Sequence, residues 1–176
     1  MGDILALMRA LTLIAASLTL IPCAVAQTPS AETITPPADQ KPILTVLGRG
    51  AQVYTCQRIS GSWQWTLTAP DAILYDSDSV KVGTHTAGPT WTYKDSSSVK
   101  GEAIQRSPAP EPGAIPWLLL RATTHTGDGL FSRIESITRT QTHGGVASTT
   151  GCDAQHANTT SRIPYTATYT FYTSKP

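Results

Sequence analysis

Three histidines and one aspartate are the side chains best suited by type and position to form a polar site: His85, His143, Asp153 and His156. Neutral imidazole nitrogens and carboxylate oxygens bind zinc and copper, so these four residues could hold one such ion. His143 precedes two glycines, and Asp153 and His156 follow Cys152, so three of the four fall in turn-rich segments where binding residues often lie. The alternative is that they are hydrogen-bonded turn residues. No cofactor is predicted and no metal is assigned, and a zinc or copper ion stays an open alternative.

The four tryptophans could bind sugars, because flat rings stack on sugar faces: Trp63, Trp65, Trp91 and Trp117. Trp91 follows His85 closely and is a candidate binding residue together with it. In strands, however, aromatic residues that alternate with apolar ones usually pack in the core. We therefore predict that at least three of the four rings are buried.

The sequence contains no motif of a known catalytic site. It has no Gly-x-Ser-x-Gly nucleophile motif, and serine and threonine are too abundant for one of them to be singled out. The glutamates Glu102, Glu111 and Glu135 lie in dissimilar settings that do not match the paired acids of a glycoside hydrolase. The sequence favours a role without catalysis, and the alternative is an enzyme that uses a metal at the His/Asp residues.

The charge of the chain argues against two classes of partner. Lysine and arginine number 13 against 12 aspartates and glutamates, for a net charge of +1. Binding to nucleic acid or to an anionic membrane surface requires clustered basic residues, which this chain lacks. Charged residues make up 14% of the chain, so threonine and serine must supply much of the polar surface, as in many β proteins.

The beginning of the chain has the layout of a secretory signal peptide. An arginine and an apolar run over residues 10–21 precede an Ala-Val-Ala triplet that ends at Ala26. We predict a signal peptide over residues 1–26 and a secreted, periplasmic or cell-surface location. The apolar run is shorter than the roughly 20 residues that a membrane-spanning helix needs. A lipid anchor on Cys23 is the alternative, but Pro22 stands where such signals have a small residue.

Cleavage after Ala26 would leave Cys56 and Cys152 as the cysteines of the exported chain. A pair of cysteines in an oxidising compartment usually forms a disulfide. The sequence therefore predicts a bond between Cys56 and Cys152.

The rest of the chain is predicted to be a flexible proline-rich leader over residues 27–42 and one β domain over residues 43–176. Residues Tyr165, Ala167, Tyr169 and Phe171 alternate with polar ones, which indicates a strand with one buried face. Other short β-favouring runs are separated by turn residues: Ile43–Leu47, Gln52–Ile59, Trp63–Thr68, Thr90–Tyr93 and Trp117–Thr124. This pattern predicts an all-β, single-domain antiparallel sandwich or small barrel. Residues 130–140 could hold one short helix, but a bulged strand is favoured there.

Several motifs occur in order along the domain, and together they resemble a family known as domain of unknown function (DUF) 3455, found in exported bacterial and fungal proteins. The resemblance spans about residues 47–172 and implies no established activity. The motifs are Val53-Tyr54-Thr55-Cys56, Gly83-Thr84-His85-Thr86-Ala87-Gly88-Pro89-Thr90-Trp91, Ile115-Pro116-Trp117-Leu118-Leu119-Leu120, Gly151-Cys152-Asp153-Ala154-Gln155-His156 and Ile163-Pro164-Tyr165-Thr166-Ala167-Thr168-Tyr169.

The function that the sequence favours is a secreted or cell-surface binding module without catalysis, whose ligand is a glycan or a cell-wall component. Two alternatives stay open. One is a metal-dependent enzyme or metal-binding protein that uses the His/Asp residues. The other is a structural component of the cell envelope, for which a flat and featureless surface would be typical.

Overall fold

The computed structural model describes residues 34–176 of the chain. The predicted signal peptide with Cys23, the cleavage site after Ala26 and the leader as far as residue 33 lie outside the described residues.

The described residues form a closed antiparallel barrel of eight strands. Each strand pairs with the next along the chain, and the last pairs with the first. Two short 3-10 turns lie at Leu130–Arg133 and Ala154–His156. The prediction of an all-β single domain is confirmed, and of its two forms the fold is the barrel. The strands are β1 (Gln40–Ile59), β2 (Ser62–Tyr75), β3 (Lys81–Thr86), β4 (Thr90–Tyr93), β5 (Ser98–Ser107), β6 (Trp117–Thr126), β7 (Ser136–Gly144) and β8 (Thr160–Ser174).

Strand β1 is longer than its sequence suggested. It begins at Gln40, inside the predicted leader, and continues to Ile59, so it joins the two predicted runs Ile43–Leu47 and Gln52–Ile59 into one strand. Gly48 has a packing reason, since a Cβ atom there would lie 2.6 Å from the ring of Tyr169. The glycine therefore makes room for a large ring inside the barrel.

A two-residue turn joins β1 to β2. Ser60 and Gly61 both have positive φ, at 50° and 87°, and Ile59 pairs with Ser62. Positive φ at both central residues is typical of the tight turns that suit the twist of a hairpin.

The core fills one end of the barrel. The inward face of β8 is buried as the alternation predicted, with Tyr165, Ala167, Tyr169 and Phe171 at 3% exposure or less. Phe131, on the first 3-10 turn, is fully buried and stacks on Phe171 with the ring centroids 4.4 Å apart. This turn therefore closes one end of the barrel.

The segment over residues 130–140 combines both structures that its sequence suggested. The 3-10 turn at Leu130–Arg133 precedes β7, and the pairing of β7 with β8 shifts register between Thr140 and His143. The favoured bulged strand is present, and the helical spacing corresponds to a single turn.

Candidate functional site

The end of the barrel opposite Phe131 is open, and a cavity of about 750 Å³ enters the interior from it. Its apolar wall comes from Pro89, Ile115, Leu118 and Leu120. Cavities of this size are typical of sites for small molecules, and an eight-stranded barrel is just wide enough to hold one small ligand. The cavity is thus the candidate functional site.

Two arginines enter the cavity from strands on either side of β6. Arg106 of β5 pairs with Leu118 of β6, and Leu118 pairs with Arg139 of β7. Residues opposite each other on neighbouring strands share a face, and Leu118 is buried in the core. Both arginines therefore point inward, and both line the cavity, with Arg106 exposed at the rim and Arg139 partly buried.

The guanidinium of Arg139 is held in place by a backbone carbonyl and by the hydroxyl of Tyr169. Its Nε and Nη2 donate to the oxygen of Pro116 at 3.1 Å and 2.8 Å. Burial lowers the pKa of Arg139, the neighbouring Tyr169 and Tyr165 oppose this shift, and the positive charge of Arg106 adds a smaller lowering effect. None of the ion pairs within residues 34–176 includes either arginine. The site thus holds two cations without a paired anion.

Gln52 adds a third hydrogen-bond donor to the cavity. It lies on β1, is 2% exposed and lines the site. Its amide Nε2 is buried and has no hydrogen-bond partner among the described residues. An unsatisfied buried donor is costly, so this amide is suited to receive an acceptor atom of a ligand.

His85, a predicted binding residue, forms part of the buried wall. Its ring stacks on Trp91 with centroids 4.3 Å apart, and its Nδ1 donates to the carbonyl of Thr90 at 3.0 Å. Burial lowers the pKa of His85 to about 3, so the ring is neutral at ordinary pH. Trp91, the other candidate from this motif, is 1% exposed and offers no open face to a sugar.

The other predicted metal ligands lie on the surface in two separate places. His143 forms an exposed pair with Glu111. His156 donates through Nδ1 to Asp153 at 2.8 Å, and the same carboxylate accepts the backbone amides of Gln155 and His156. This set of bonds lowers the pKa of Asp153, chiefly through the bond from His156, and it orders the turn after Cys152.

The four predicted ligands do not converge. Only Asp153 and His156 are in contact, and within residues 34–176 no three His, Cys, Asp or Glu side chains could hold a metal ion together. The metal-binding alternative therefore gains no support from the geometry. His85 has the surroundings of a core histidine, and His143 and His156 have those of surface residues.

The predicted disulfide is present between Cys56 of β1 and Cys152, with the Cα atoms 5.3 Å apart. It fastens the connection between β7 and β8 to the open end of the barrel. In the same connection Val146 lines the cavity, and Gly145 accepts a hydrogen bond from the hydroxyl of Tyr54 at 2.7 Å. The disulfide thus fixes a segment that borders the opening of the cavity.

The prediction that most tryptophans are buried is wrong, since only Trp91 is. Trp63 and Trp65 lie on the first part of β2, which pairs with β1 alone because β3 pairs with β2 only from Ala72 onward. A strand with a neighbour on one side only has less of the barrel to pack against. Trp117 is likewise only partly buried.

The two partly buried rings of β2 border a second, smaller groove. This surface groove, of about 430 Å³, is lined by Tyr54, Trp63, Trp65, Cys152 and residues 146–149. The indole Nε1 of Trp65 donates to the carbonyl of Thr150 at 3.0 Å, whereas Trp63 has its ring edge free of any side-chain bond within the described residues. The indole N–H of Trp63 is therefore free to donate a hydrogen bond to a ligand in the groove.

Sequence reasoning singled out His85 but missed three other polar residues of the cavity, Gln52, Arg106 and Arg139. The sequence did offer one signal for Arg139. This residue lies two positions after Ile137, and alternate residues of a strand share a face, so a buried Ile137 places Arg139 on the inner side. The use of this signal requires that residues 136–139 be assigned to a strand, whereas the sequence of residues 130–140 also suggested a short helix.

No helix within residues 34–176 is long and apolar enough to cross a membrane.

A search among curated proteins and a search among solved structures each found no match. A family model described as "Protein of unknown function (DUF3455)" matches residues 37–173. The matched span includes all eight strands of the barrel except Ser174, the last residue of β8. It also includes the disulfide and the cavity. The chain belongs to the DUF3455 family.

Proposed function

We propose that this protein is a non-catalytic binding protein that acts outside the cytoplasm and holds a small ligand in the barrel cavity. The observation that carries the proposal is an open cavity of about 750 Å³ with an unpartnered buried donor, Gln52, on its wall. Binding sites are typically concave, mostly apolar and equipped with a few placed polar groups.

A small inward residue on β5 keeps the cavity open. Gly101 and Ala103 of β5 line it, and Ala103 pairs with Leu120 on the inner face of the barrel. Protein interiors are normally packed as densely as organic crystals, and an eight-stranded barrel can be filled by its own side chains. A larger residue at Ala103 would fill the space, so its small size supports a binding role. Gly101 is small for a different reason, since a Cβ atom there would lie 3.2 to 3.4 Å from the core side chains of Leu120, Trp91 and Ile137. A purely structural role would not require a cavity.

An exported location is supported by the disulfide and by the first residues of the chain. Disulfides persist in oxidising compartments and are rare in the cytosol. Cys56 and Cys152 are joined, and residues 1–26 have the layout of a signal peptide.

A bulky residue at Ala103 is expected to abolish binding in the cavity. We would titrate the protein with N-phenyl-1-naphthylamine, a neutral apolar dye that fluoresces when it leaves water. The wild type should bind it, and Ala103→Trp should weaken binding by at least about tenfold because the indole fills the site. Ile104→Trp is the matched control, since Ile104 is the next residue, is 54% exposed and does not line the cavity.

Equal dye binding by wild type, Ala103→Trp and Ile104→Trp would place the dye elsewhere and contradict the proposal. So would the absence of dye binding by the wild type. Melting temperatures of the three proteins show whether each variant is folded.

A glycan or cell-wall ligand is the second candidate, and the surface groove is the observation that favours it. Three aromatic side chains, Tyr54, Trp63 and Trp65, border this groove, and the disulfide fixes its far side. Tryptophan and tyrosine combine a large apolar face with a polar edge, which suits the alternating faces of a sugar. The groove and the cavity share Tyr54, so the two sites are neighbours.

Removal of the Trp63 ring is expected to weaken glycan binding without changing dye binding. Wild type and Trp63→Ala would be titrated by calorimetry with chitotetraose and with peptidoglycan fragments, and the dissociation constant of any bound glycan should rise about tenfold. Tyr75→Ala is the control, because Tyr75 is a partly buried aromatic residue of β2 away from the groove. No binding of either glycan by the wild type, or equal binding by Trp63→Ala, would remove this second candidate.

A further inference from the structure

We propose that the ligand of the cavity is an amphiphile with an anionic group, such as a carboxylate, on an apolar body, and that Arg106 and Arg139 bind the anionic group. This inference rests on the proposed function and names the class of ligand for the same cavity.

The two arginines are placed to share one group. They occupy β5 and β7, with Leu118 of β6 between them in the same row. Neighbouring strands lie about 4.8 Å apart, so the two backbones are separated by about 10 Å. Two guanidinium groups that point into one cavity across this distance can both reach a carboxylate between them.

The described part of the protein does not neutralise these charges. Glu102 also lines the cavity, but its carboxylate pairs with Arg121 at 3.1 Å on the outer side of β5 and β6. The remaining ion pairs within residues 34–176 are His143 with Glu111, His156 with Asp153, and Arg162 with Asp71. Two like charges without a counterion repel each other, and an anion from outside would relieve this repulsion.

Gln52 also favours a ligand that carries hydrogen-bond acceptors. Its buried Nε2 is a donor without a partner among the described residues, and arginine offers only donors. The hydrogen-bond donors of Gln52, Arg106 and Arg139 therefore favour a ligand with acceptor atoms. A carboxylate provides two oxygen atoms and a charge.

The apolar wall argues for an amphiphile over a small inorganic anion. Pro89, Ile115, Leu118 and Leu120 line the cavity beside the arginines. A bare anion would leave most of about 750 Å³ unfilled, whereas an alkyl or ring system would bury its apolar surface against this wall.

The test compares two ligands that differ in charge. Decanoate and decan-1-ol would each displace N-phenyl-1-naphthylamine from the wild type at neutral pH. We expect decanoate to bind about tenfold more tightly, because hydrogen bonds between charged partners are roughly twice as strong as neutral ones. Arg106→Gln should remove most of this preference. Arg106 lies exposed at the rim without a hydrogen bond or ion pair among the described residues, so its replacement should leave the fold intact.

Two further variants separate a local contact from a general effect of charge. Arg106→Lys keeps the charge and should retain part of the preference for decanoate. Arg49→Gln removes the same charge from the outer face of β1, where Arg49 lies over the ring of Tyr75, and should leave the preference unchanged.

Two results would overturn the proposal that the ligand is anionic. One is equal binding of decanoate and decan-1-ol by the wild type, and the other is a preference for decanoate that Arg106→Gln leaves intact. If Ala103→Trp still blocks the dye in that case, the proposed function stands and only its ligand class is wrong. Failure of the dye to bind in the cavity would contradict both.

Discussion

The double variant Cys56→Ala/Cys152→Ala is expected to lose about 4–5 kcal/mol of its free energy of unfolding. The joined cysteines are 96 residues apart, so the bond closes most of the domain into one loop. In the chain-entropy view, such a long cross-link restricts the unfolded chain strongly and thereby stabilises the folded state. For a domain of this size, the loss is a large part of the whole free energy of unfolding.

The measurement is unfolding in urea, followed by tryptophan fluorescence, for the wild type and the double variant. The mass of the wild type establishes that the bond is intact, and the single variants Cys56→Ala and Cys152→Ala should each unfold as early as the double variant. A loss below about 1 kcal/mol would show that the bond does not restrict the unfolded chain as this account requires.

The second large effect is a fall in stability on acidification that originates at His85. The pKa of His85 is about 3 in the folded protein, chiefly because of burial, against 6.5 in the unfolded chain. Between these values the unfolded state binds a proton that the folded state does not, so stability falls as the pH falls. The free energy of unfolding does not depend on this proton above pH 6.5. Below pH 6.5 it decreases by about 1.4 kcal/mol per pH unit, which gives a total loss of about 3 kcal/mol at pH 4.

The matched variant is His85→Phe, which keeps a flat ring against Trp91 but does not titrate. Urea unfolding of both proteins across this pH range should give a steep loss for the wild type and a shallower one for the variant. Asp95 and Asp153 also have lowered pKa values, but they are present in both proteins and cancel in the comparison. Parallel pH dependences would show that His85 does not carry the effect.

Local alternation predicted the strands that pack on the core. Tyr165, Ala167, Tyr169 and Phe171 are buried as expected because their inward face meets the filled end of the barrel. The same alternation misled at Trp63 and Trp65, since period two gives the face of a strand and says nothing about its neighbours. Barrel closure itself is a long-range property, in which β1 pairs with β8 across most of the chain.

The candidate site was less accessible to sequence reasoning than the fold. The pairing of Cys56 with Cys152 could be predicted without geometry, from the expected oxidising compartment and from the number of cysteines. Arg106 and Arg139 come together only through the registers of three strands, with a shift between Ala103 and Gln105. His85 was conspicuous as a type of residue, yet its burial against Trp91 depends on the packing of the finished barrel.

Binding of a ligand inside the barrel would be seen in the amide chemical shifts recorded during a titration with N-phenyl-1-naphthylamine. We expect the largest shifts at residues that line the cavity, Gln52, Gly101, Ala103 and Arg139, on strands distant in sequence. Shifts confined to the groove residues Trp63 and Trp65, or scattered over the outer surface, would contradict a site in the cavity.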